Sequence, residues 1–293
     1  KLKSFDATAA KAMPGIHDVF TINTSLEKPQ WSDVNAFNEL VVVVGDSTWQ
    51  VMQAKKAVEV TWETVASLED TAGHREKLEQ VFSTEKGDVK RKDGDPDDAF
   101  AKADEIVEAS YYGSFLAHNT MEPMNFFADV QADKAELVGP IQTPESLRKS
   151  ASALLNIPEE NIHVDMTRMG GGFGRRLYGN FGLEAAAISQ KTGKPVKLVY
   201  SREDDMTQGT YRPSYMLKYR AALDADKNMT AFEVRGSGIP ESPIFENRYP
   251  AGTVANYKAE NYGIETAIST GAWRAPRSNF TAGAEQSFLD EVA

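Results

Sequence analysis

The stretch MGGGFGRR spans Met169–Arg176 and places four glycines within five positions. Glycine loses more conformational freedom on folding than any other residue, so such a cluster indicates a backbone that turns sharply or approaches another group closely. Before it, residues 161–168 (NIHVDMTR) alternate polar and apolar side chains as a half-buried strand does. After it, residues 180–191 (NFGLEAAAISQK) have the pattern of a helix. The glycine-rich stretch is therefore predicted to join a strand to a helix.

A loop in this context offers unpaired backbone N–H groups and a helix N-terminus, and both favour anions. Two phosphate-binding motifs nevertheless fail on spacing. A P-loop requires G-x-x-x-x-G-K-[ST], whereas Gly170 and Gly174 are too close together and Arg175 follows them. A Rossmann fingerprint starting at Gly170 and Gly172 requires its third glycine at position 175. A loop whose glycines only let strand and helix pack closely stays open as an alternative.

Length and composition limit the class of protein. A chain of 293 residues suggests one large domain or two ordinary ones, and its 41% hydrophobic and 26% charged content is normal for a globular protein with a sizeable core. The net charge of -11 argues against a nucleic-acid partner. The absence of cysteine excludes disulfides, cysteine metal sites and thiol catalysis. No apolar run approaches the roughly 20 residues of a membrane span.

The first part of the chain has the pattern of a small α/β unit. Leu40–Val44 (LVVVV) is typical of a strand buried on both faces. Ser47 or Asp46 can cap a helix over about residues 48–56, and residues 57–62 favour a second strand. These elements predict a strand–helix–strand order.

The middle of the chain is rich in charge. Residues 67–82 favour a surface helix. Residues 87–100 (GDVKRKDGDPDDAF) contain Gly and Pro and lack an apolar period, so they are the best candidate for a linker or domain boundary. A long solvated loop inside one domain is the alternative interpretation.

From Ala101 onward strands and helices alternate, and no internal repeat is visible. The face shared by Leu147, Ala151, Leu154 and Leu155 predicts a helix over residues 144–155, and Gly193 is predicted to end the helix over 180–191. The other predicted elements are strands at 105–112 and 195–200, hairpins at 126–138 and 215–234, a strand near Ile264 and a helix ending at Ala293.

Three further segments carry polar side chains in suggestive places. HNTMEPMN at 118–125 contains His118 and Glu122, but a metal site is disfavoured because no third ligand has suitable spacing. PIQTPES at 140–146 places Gln142 ahead of a helix with Thr143 as its candidate cap. GAWRAPRSN at 271–279 brings a Trp, two Arg and a Pro to another helix entrance. Each also has a purely structural interpretation, as an ion pair, a capped helix or a basic turn.

The order of these motifs resembles the large, molybdopterin-binding subunit of molybdenum hydroxylases, the family of xanthine dehydrogenase and aldehyde oxidoreductase. Gln142 precedes a helix, GGGFG follows a strand at 170–174, and GAWRAP at 271–276 precedes the acidic helix EQSFLDEVA. The intervening KTGKPVKLVYSREDDM at 191–206 also fits this order. GGGFGRR with MEPMN upstream is most similar to the isoquinoline oxidoreductase type of large subunit.

The resemblance implies an α/β (α+β) fold in which a partial hammerhead-type small domain precedes the first molybdopterin-binding domain, built from mixed sheets and helices. We expect the partial hammerhead domain at residues 1–65, a linker or insert at 66–100 and the first cofactor-binding domain at 101–293. The chain starts at Lys1 without Met, and the family's second cofactor-binding domain does not follow. We therefore expect a fragment of a longer protein.

The resemblance also implies a reaction. Family members hydroxylate an aldehyde or an N-heterocycle with oxygen derived from water, and electrons leave through iron–sulfur clusters. The implied cofactor is molybdenum–molybdopterin, expected in its cytosine dinucleotide form. The implied partners are a small [2Fe-2S] subunit or domain, the missing C-terminal cofactor domain and the small-molecule substrate. The periplasm is the expected location if the protein follows its isoquinoline-type relatives, and the cytoplasm is expected otherwise.

The resemblance assigns the cofactor-binding residues as well. Gln142 is expected to donate a hydrogen bond toward a molybdenum oxo group. Gly171, Gly172, Phe173 and Gly174 form the loop at the metal, with Phe173 and Gly174 beside it. The loop around Arg274 is expected to supply donors near the pterin. No protein side chain is expected to ligate the metal. Gln142, Phe173–Gly174 and Arg274 are predicted to converge on one cleft.

Two departures from the family pattern matter. The family's catalytic glutamate lies in the second cofactor domain, so no catalytic residue is expected within this chain, and residues 1–293 alone are expected to be inactive and without cofactor. Some xanthine-oxidising members carry an acidic residue just after GGGFG, where this chain has Arg175, Arg176 and Leu177, which argues against xanthine. The alternative function is a non-enzymatic binding or scaffold module that retains the fold.

Overall fold

A computed structural model describes residues 1–34, 37, 39–64 and 69–293. These residues form an α/β fold with mixed sheets, as predicted. The strands are β1 Leu2–Asp6, β2 Ile16–Ile22, β3 Leu40–Gly45, β4 Glu59–Trp62, β5 Asp88–Asp93, β6 Glu105–Gly113, β7 Asn125–Val130, β8 Ala135–Gly139, β9 Ile162–Met166, β10 Val196–Val199, β11 Ser214–Leu223, β12 Met229–Ile239 and β13 Asn256–Gly263. The α-helices are α1 Thr8–Lys11, α2 Thr48–Lys55, α3 Thr71–Thr84, α4 Pro96–Ala101, α5 Pro144–Leu155, α6 Asn180–Thr192, α7 Arg202–Thr207 and α8 Ser278–Val292.

The described chain divides into two compact units. The first comprises Lys1–Ser67 and Ala117–Thr210, and the second comprises Leu68–Leu116 and Tyr211–Ala293. Each unit is therefore assembled from two separate stretches of sequence. The domain boundaries expected at residues 65 and 100 are based on the family and stay predictions, and the first of them lies outside the described residues.

The main sheet of the first unit has the strand order β10-β7-β8-β9. β7 runs antiparallel to both β8 and β10, and β8 runs parallel to β9. Along β7, Phe126, Ala128 and Val130 are buried while the residues between them are half-buried, which is the period of two expected of a strand. α5 and α6 pack against this sheet and close a core around Phe126, Leu147 and Phe181.

Several predicted elements of this unit are confirmed. The hairpin at 126–138 is β7 and β8, and the buried face of α5 includes Leu147, Ala151 and Leu155 as expected. Gly193 ends α6 with a left-handed φ of 62°, a conformation that favours glycine. In contrast, the sequence pattern did not predict α7.

The N-terminal part of the first unit contains two two-stranded sheets, β1-β4 and β2-β3, together with α1 and α2. The predicted cap of α2 is confirmed, because the Ser47 hydroxyl accepts a hydrogen bond from the Gln50 N–H. The expectation that Leu40–Val44 is buried on both faces is wrong. Every residue of β3 is half-buried, in a sheet that has only two strands.

The second unit is built on a five-stranded sheet of order β5-β13-β12-β11-β6. β11 and β12 form the predicted hairpin, and β12 pairs with β13 in parallel. α8 packs on this sheet, where Phe288 stacks on Tyr219 with ring centroids 5.1 Å apart. Aromatic rings therefore form much of the contact between helix and sheet.

The charged segment from Gly87 to Phe100 is not the linker or solvated loop that its composition predicted. It contains β5, which pairs with β13 as an edge strand, and α4, which Asp95 caps by accepting the Asp98 N–H. The predicted surface helix begins later than expected, at Thr71 with Asp70 as its cap. Its expected start at Ser67 lies outside the described residues.

Glycine at 139 is required by packing. A Cβ there would lie 2.3 Å from Cδ2 of the fully buried Phe126 ring. We expect Gly139→Ala to lower the free energy of unfolding by about 1–3 kcal/mol, because the buried ring must shift. Gly283→Ala is the matched control, since nothing lies within 4 Å of a Cβ at that position in α8. Denaturant unfolding of both variants measures the difference, and equal stabilities would contradict the packing argument.

Glu69 fixes the entrance to α3 in the second unit. Its carboxylate oxygens are bonded to His74 Nε2 at 2.7 Å, the Thr266 hydroxyl at 2.7 Å and the Ala267 N–H at 3.1 Å. Burial alone would raise the pKa of Glu69, but these hydrogen bonds outweigh it and lower the pKa to about 2. The ionised carboxylate therefore stabilises the fold above its unfolded pKa of 4.5.

We expect Glu69→Gln to destabilise the protein at neutral pH by about 1–3 kcal/mol. The gap between wild type and variant should close as the pH falls from 4.5 toward 2, because the wild-type carboxylate then becomes protonated. Unfolding measured from pH 7 downward checks this. Glu145→Gln, which removes an exposed helical ion pair with Lys149, should change stability little. A gap that does not depend on pH would refute the role of the charge.

Candidate functional site

The sheet topology of the first unit brings three segments to one edge. β8 and β9 are parallel, so their carboxyl ends meet, and antiparallel β7 begins at that same edge. Glu122 lies just before β7, Gln142 lies just after β8, and the glycine-rich loop follows β9. Residues separated by up to about fifty positions are therefore brought together by strand order alone.

Three of the five loop residues adopt left-handed backbone angles. The φ angles are 98° at Gly171, 53° at Phe173 and 106° at Gly174. Glycine adopts such angles without steric cost, whereas Phe173 is strained. A short 3-10 turn at Arg175–Leu177 then leads toward α6. The predicted strand–loop–helix order is confirmed.

The other two glycines are required by close approach rather than by backbone angle. A Cβ at Gly170 would lie 2.4 Å from the Cβ of Glu122. A Cβ at Gly172 would lie 3.2 Å from Oε1 of Gln142. The glycine cluster therefore lets the loop contact the segments before β7 and after β8, which answers why so much backbone freedom is given up there.

Gln142 and the loop are joined directly. The backbone N–H of Gln142 donates to the Arg176 carbonyl at 2.9 Å, and its side chain is exposed beside Gly172. The Thr143 hydroxyl donates to the Leu177 carbonyl at 2.9 Å. Thr143 occupies the N-cap position of α5, but the expected side-chain cap is absent because this hydroxyl is bonded to the loop.

Four consecutive backbone donors in the loop face no protein acceptor. Among the described residues, none accepts a hydrogen bond from the N–H groups of Gly171, Gly172, Phe173 or Gly174. Phe173 is exposed and the three glycines are half-exposed, so these groups are accessible. Successive unpaired N–H groups in a turn that includes left-handed residues are available to an electronegative atom of a ligand. The loop is thus arranged to receive an oxygen-bearing ligand.

The two arginines after the glycines point into the protein. Arg175 and Arg176 are buried, with 2% and 0% of their surface exposed. Arg176 donates from Nε to the Gly171 carbonyl at 2.7 Å and from Nη1 to the Pro140 carbonyl at 3.3 Å. From Nη2 it reaches the Glu122 carboxylate and carbonyl, both at 2.9 Å. Neither arginine side chain is available to contact a substrate.

Glu122 is the counter-charge. Its Oε2 also accepts the Gly170 N–H at 2.8 Å, and its Oε1 accepts from Asn125 at 2.9 Å. Burial alone would raise the pKa of Glu122, but the Gly170 and Asn125 hydrogen bonds and the Arg176 charge outweigh it and hold the pKa below the ordinary value. Glu122 is therefore ionised at neutral pH.

Arg175 lies in a second polar group behind the loop. Its Nη1 donates to Asn180 at 3.0 Å, and its guanidinium lies 5.5 Å from the centroid of the Phe181 ring. Asn180 in turn donates to Glu184 at 3.0 Å, and the Tyr200 hydroxyl donates to the other oxygen of Glu184. This cluster joins the start of α6 to the end of β10.

Glu184 has the most perturbed carboxyl group of the unit. Burial raises its pKa to about 7, although hydrogen bonds from Tyr200 and Asn180 and the Arg175 charge act in the opposite direction. A pKa near 7 in a buried polar cluster is a feature of many functional sites, but it also occurs in structural networks. Glu184 is buried beneath α6, so a structural role is the simpler interpretation.

Arg274 belongs to the second unit, in the loop before α8. Its side chain is exposed and, among the described residues, has no hydrogen-bonding or ionic partner. The backbone around it is strained, with φ angles of 53° at Ala275 and 63° at Arg277. The Asn279 amide donates to the Trp273 carbonyl at 3.0 Å and holds the turn. The loop thus presents a free guanidinium on a fixed backbone.

The structure brings together Gln142 and the loop from Gly171 to Gly174 within one unit, as expected. Arg274 lies in the other unit, so the predicted convergence of all of these residues stays a prediction. Across the described residues, no group of three or more acidic or histidine side chains is arranged to hold a metal ion. The same described residues include no helix long and apolar enough to cross a membrane.

Sequence reasoning missed the importance of Glu122 and Arg176. The sequence places Glu122 in the MEPMN string and Arg176 in the GGGFGRR string that carry the family resemblance, but neither string indicates that the two side chains pair. The spacing of 54 positions between them hides their ion pair. The one available signal was that Glu122 and Arg176 both flank strands that end or begin on the same side of the sheet.

The chain matches the family model of the molybdopterin cofactor-binding domain over residues 74–271. It is 26% identical over 321 residues to the membrane-bound aldehyde dehydrogenase (pyrroloquinoline-quinone) of Gluconacetobacter polyoxogenes, which covers 100% of this chain and 40% of that protein. It is 27% identical over 252 residues to aldehyde oxidase 4 of Mus musculus, covering 80% of this chain and 18% of that protein.

A similar fold occurs in the aldehyde oxidoreductase of Desulfovibrio desulfuricans. The TM-score is 0.74 with 16% sequence identity, over 100% of this chain and 37% of that one. At this identity the likeness concerns the fold alone. The chain thus spans well under half the length of each of these proteins.

The Glu184 cluster makes stability depend on pH with a defined sign. The folded pKa of about 7 lies above the unfolded value of 4.5, so stability should fall as the pH rises from about 4.5 to 7. Glu184→Gln should abolish this slope, because the amide does not titrate. Unfolding midpoints between pH 5 and 8 test it, with Glu136→Gln, at the exposed position of β8, as the control. If the pH dependence of stability persisted in Glu184→Gln, it would have to arise from another titrating group.

Proposed function

The chain belongs to the molybdopterin cofactor-binding domain family, and we propose that it is the part of a molybdenum-dependent oxidoreductase that holds the cofactor. The single observation that carries this proposal within the structure is the row of unpaired N–H groups at Gly171–Gly174 beside Gln142. Its position after β9 and before α6 is the one that the family resemblance assigns to the loop at the metal.

The residues present fit such a group. A cofactor that carries oxygen atoms requires donors rather than side-chain ligands, and the loop offers backbone N–H groups while Gln142 offers its amide. The space beside Gly172 is open only because a Cβ is missing there. In the second unit, the exposed guanidinium of Arg274 is of a kind that suits a phosphate or another anionic group.

The division of labour follows from these contacts. When bound, the molybdenum–molybdopterin group supplies the two-electron redox chemistry. This chain's residues would bind and orient it: the loop amides and Gln142 would donate hydrogen bonds, and the exposed ring of Phe173 would offer an apolar contact. Donors fixed before the reaction begins cost no reorganisation when charge develops.

We propose an aldehyde or an N-heterocycle as substrate, oxidised with an oxygen atom from water. The names of the related aldehyde oxidase and aldehyde dehydrogenase support an aldehyde, and the likeness of GGGFGRR and MEPMN to isoquinoline-type subunits supports a heterocycle. The absence of an acidic residue at 175–177 argues against xanthine. The relative named for pyrroloquinoline quinone makes that cofactor the competing possibility.

The finer features of the parent protein are proposals too. They are a cytosine dinucleotide on the pterin, electron transfer to a small [2Fe-2S] subunit or domain, a second cofactor domain that provides the catalytic base, and a periplasmic location. The resemblance to isoquinoline-type subunits supports each of them. The first three can be examined on one preparation of the intact protein, and the location by fractionation of the cells that make it.

The decisive experiment uses the full-length protein purified from a host that makes the molybdenum cofactor. We expect stoichiometric molybdenum by elemental analysis, CMP released on acid hydrolysis, and turnover of benzaldehyde or isoquinoline with an artificial electron acceptor. If the purified protein contained pyrroloquinoline quinone and no molybdenum, the proposed cofactor would be wrong and the quinone would take its place. Absence of both cofactors and of turnover would favour the non-enzymatic module instead.

Gly172→Ala tests the loop more cleanly than a change at Gly174, where the φ of 106° would strain any other residue. Gly172 has no left-handed φ, and an added Cβ would meet Gln142 Oε1 at 3.2 Å, so the amide must shift slightly. We expect turnover to fall by roughly 10-fold or more, because small misplacements near reacting groups are costly.

The melting temperature of Gly172→Ala should change little, and Gly283→Ala should leave turnover unchanged. Gln142→Ala should lower turnover at least as much as Gly172→Ala, since it removes the amide altogether. Full turnover in Gln142→Ala would show that the Gln142 amide has no role beside the loop.

A further inference from the structure

Glu122 and Arg176 form a charged pair that contacts the glycine-rich loop on its protein-facing side. Arg176 is fully buried and donates hydrogen bonds to the Gly171, Pro140 and Glu122 carbonyls and to the Glu122 carboxylate. One side chain therefore bonds to all three segments that meet at the edge of the sheet. Its own carbonyl accepts the Gln142 N–H at 2.9 Å.

Glu122 fixes the opposite end of the loop. Its backbone N–H donates to the Gly170 carbonyl at 3.1 Å, and its carboxylate accepts the Gly170 N–H at 2.8 Å. Thr120 supports it from the preceding segment by donating to the Glu122 carbonyl at 2.7 Å. The entrance of the loop at Gly170 and its exit at Arg176 are thus both bonded to Glu122.

We propose that Glu122 and Arg176 are positioning residues that set the geometry of the Gly171–Gly174 amides relative to Gln142. The inference rests on the proposed function, in which those amides and Gln142 hold the cofactor. Neither residue is a catalytic residue, because Arg176 is sealed from solvent and the carboxylate of Glu122 is bonded to Gly170, Asn125 and Arg176.

A charged pair suits this task better than apolar packing would. The loop contains a strained Phe173, and strain of that kind persists only where the surroundings determine the backbone fully. Charge-assisted hydrogen bonds are shorter and stronger than neutral ones, and the guanidinium fork has a fixed plane. The pair therefore holds carbonyls of the loop at defined angles, which side-chain packing alone does not.

The test compares Glu122→Gln with Glu285→Gln in the full-length holoprotein. Glu285 pairs with Arg248 at 2.8 Å in the second unit, and each of the two ion pairs has one largely buried member, so its variant controls for the loss of a partly buried ion pair. Glu122→Gln nearly preserves shape but removes the charge that faces Arg176. Its amide group also places N–H donors against Asn125 or Gly170, which must then separate.

The measurements are molybdenum content, kcat and KM, melting temperature and the electron paramagnetic resonance spectrum of the partly reduced protein. We expect Glu122→Gln to lower kcat or molybdenum content by roughly 10–100-fold, as for residues that orient metal-binding groups. Its spectrum should shift while KM changes little. Glu285→Gln should lower the melting temperature comparably and leave the spectrum unchanged.

An unchanged spectrum and unchanged kcat in Glu122→Gln would overturn the inference, and so would an equal effect in Glu285→Gln. If wild-type protein contains no molybdenum, the proposed function fails separately. In that case, amide hydrogen exchange still tests whether the Glu122–Arg176 pair fixes the loop. Faster exchange of the Gly170 and Arg175 amides in Glu122→Gln supports its hold on the loop, and unchanged exchange refutes it.

Where Glu122→Gln does not fold, Arg176→Lys takes its place. Lysine keeps the positive charge but has fewer donors and no planar guanidinium. We therefore expect Arg176→Lys to change the loop geometry more than the stability of the fold. The same spectrum and the same exchange rates are measured. Wild-type values for both in Arg176→Lys would overturn the proposal.

Discussion

The close approach of Gly170 to Glu122 is the contact on which the arrangement of the loop depends. With a Cβ at position 170 only 2.4 Å from the Glu122 Cβ, no other residue type fits without moving one of the two backbones. The contact gives the carboxylate access to the Gly170 N–H and to Arg176, and Arg176 in turn reaches Gly171 and Pro140. Because Gly170 has no Cβ, Glu122 can lie close enough to form this network of charged hydrogen bonds with Gly170 and Arg176.

Much of the fold follows from local patterns. α5, α6 and the two hairpins are predictable because each has one apolar face with the period of a helix or a strand. β5 is not predictable in this way. It is an edge strand whose residues are mostly exposed, and edge strands often carry charged side chains that discourage further pairing. Its composition therefore resembles that of a loop.

The candidate site was predictable in part, through motif order rather than periodicity. Gln142 and the glycine loop meet as expected, because the parallel pair β8-β9 brings the ends of both strands together. The roles of Arg175 and Arg176 were not predictable, since adjacent identical residues in a 3-10 turn point in different directions. Arg176 faces Glu122 and the loop, whereas Arg175 faces Asn180 and Phe181.

Both units hold a strained backbone with polar side chains. In the first unit Phe173 lies beside the Glu122–Arg176 pair, and in the second unit Arg277 is paired with Glu241 at 2.6 Å next to the strained Ala275. Left-handed angles at such residues cost about 1–3 kcal/mol each, so they require compensating contacts nearby. Hydrogen bonds to charged groups contribute energies of this size, about 1.5–3 kcal/mol. Ion pairs next to the loops can therefore offset the strain locally, without drawing on the hydrophobic cores that stabilise the two sheets.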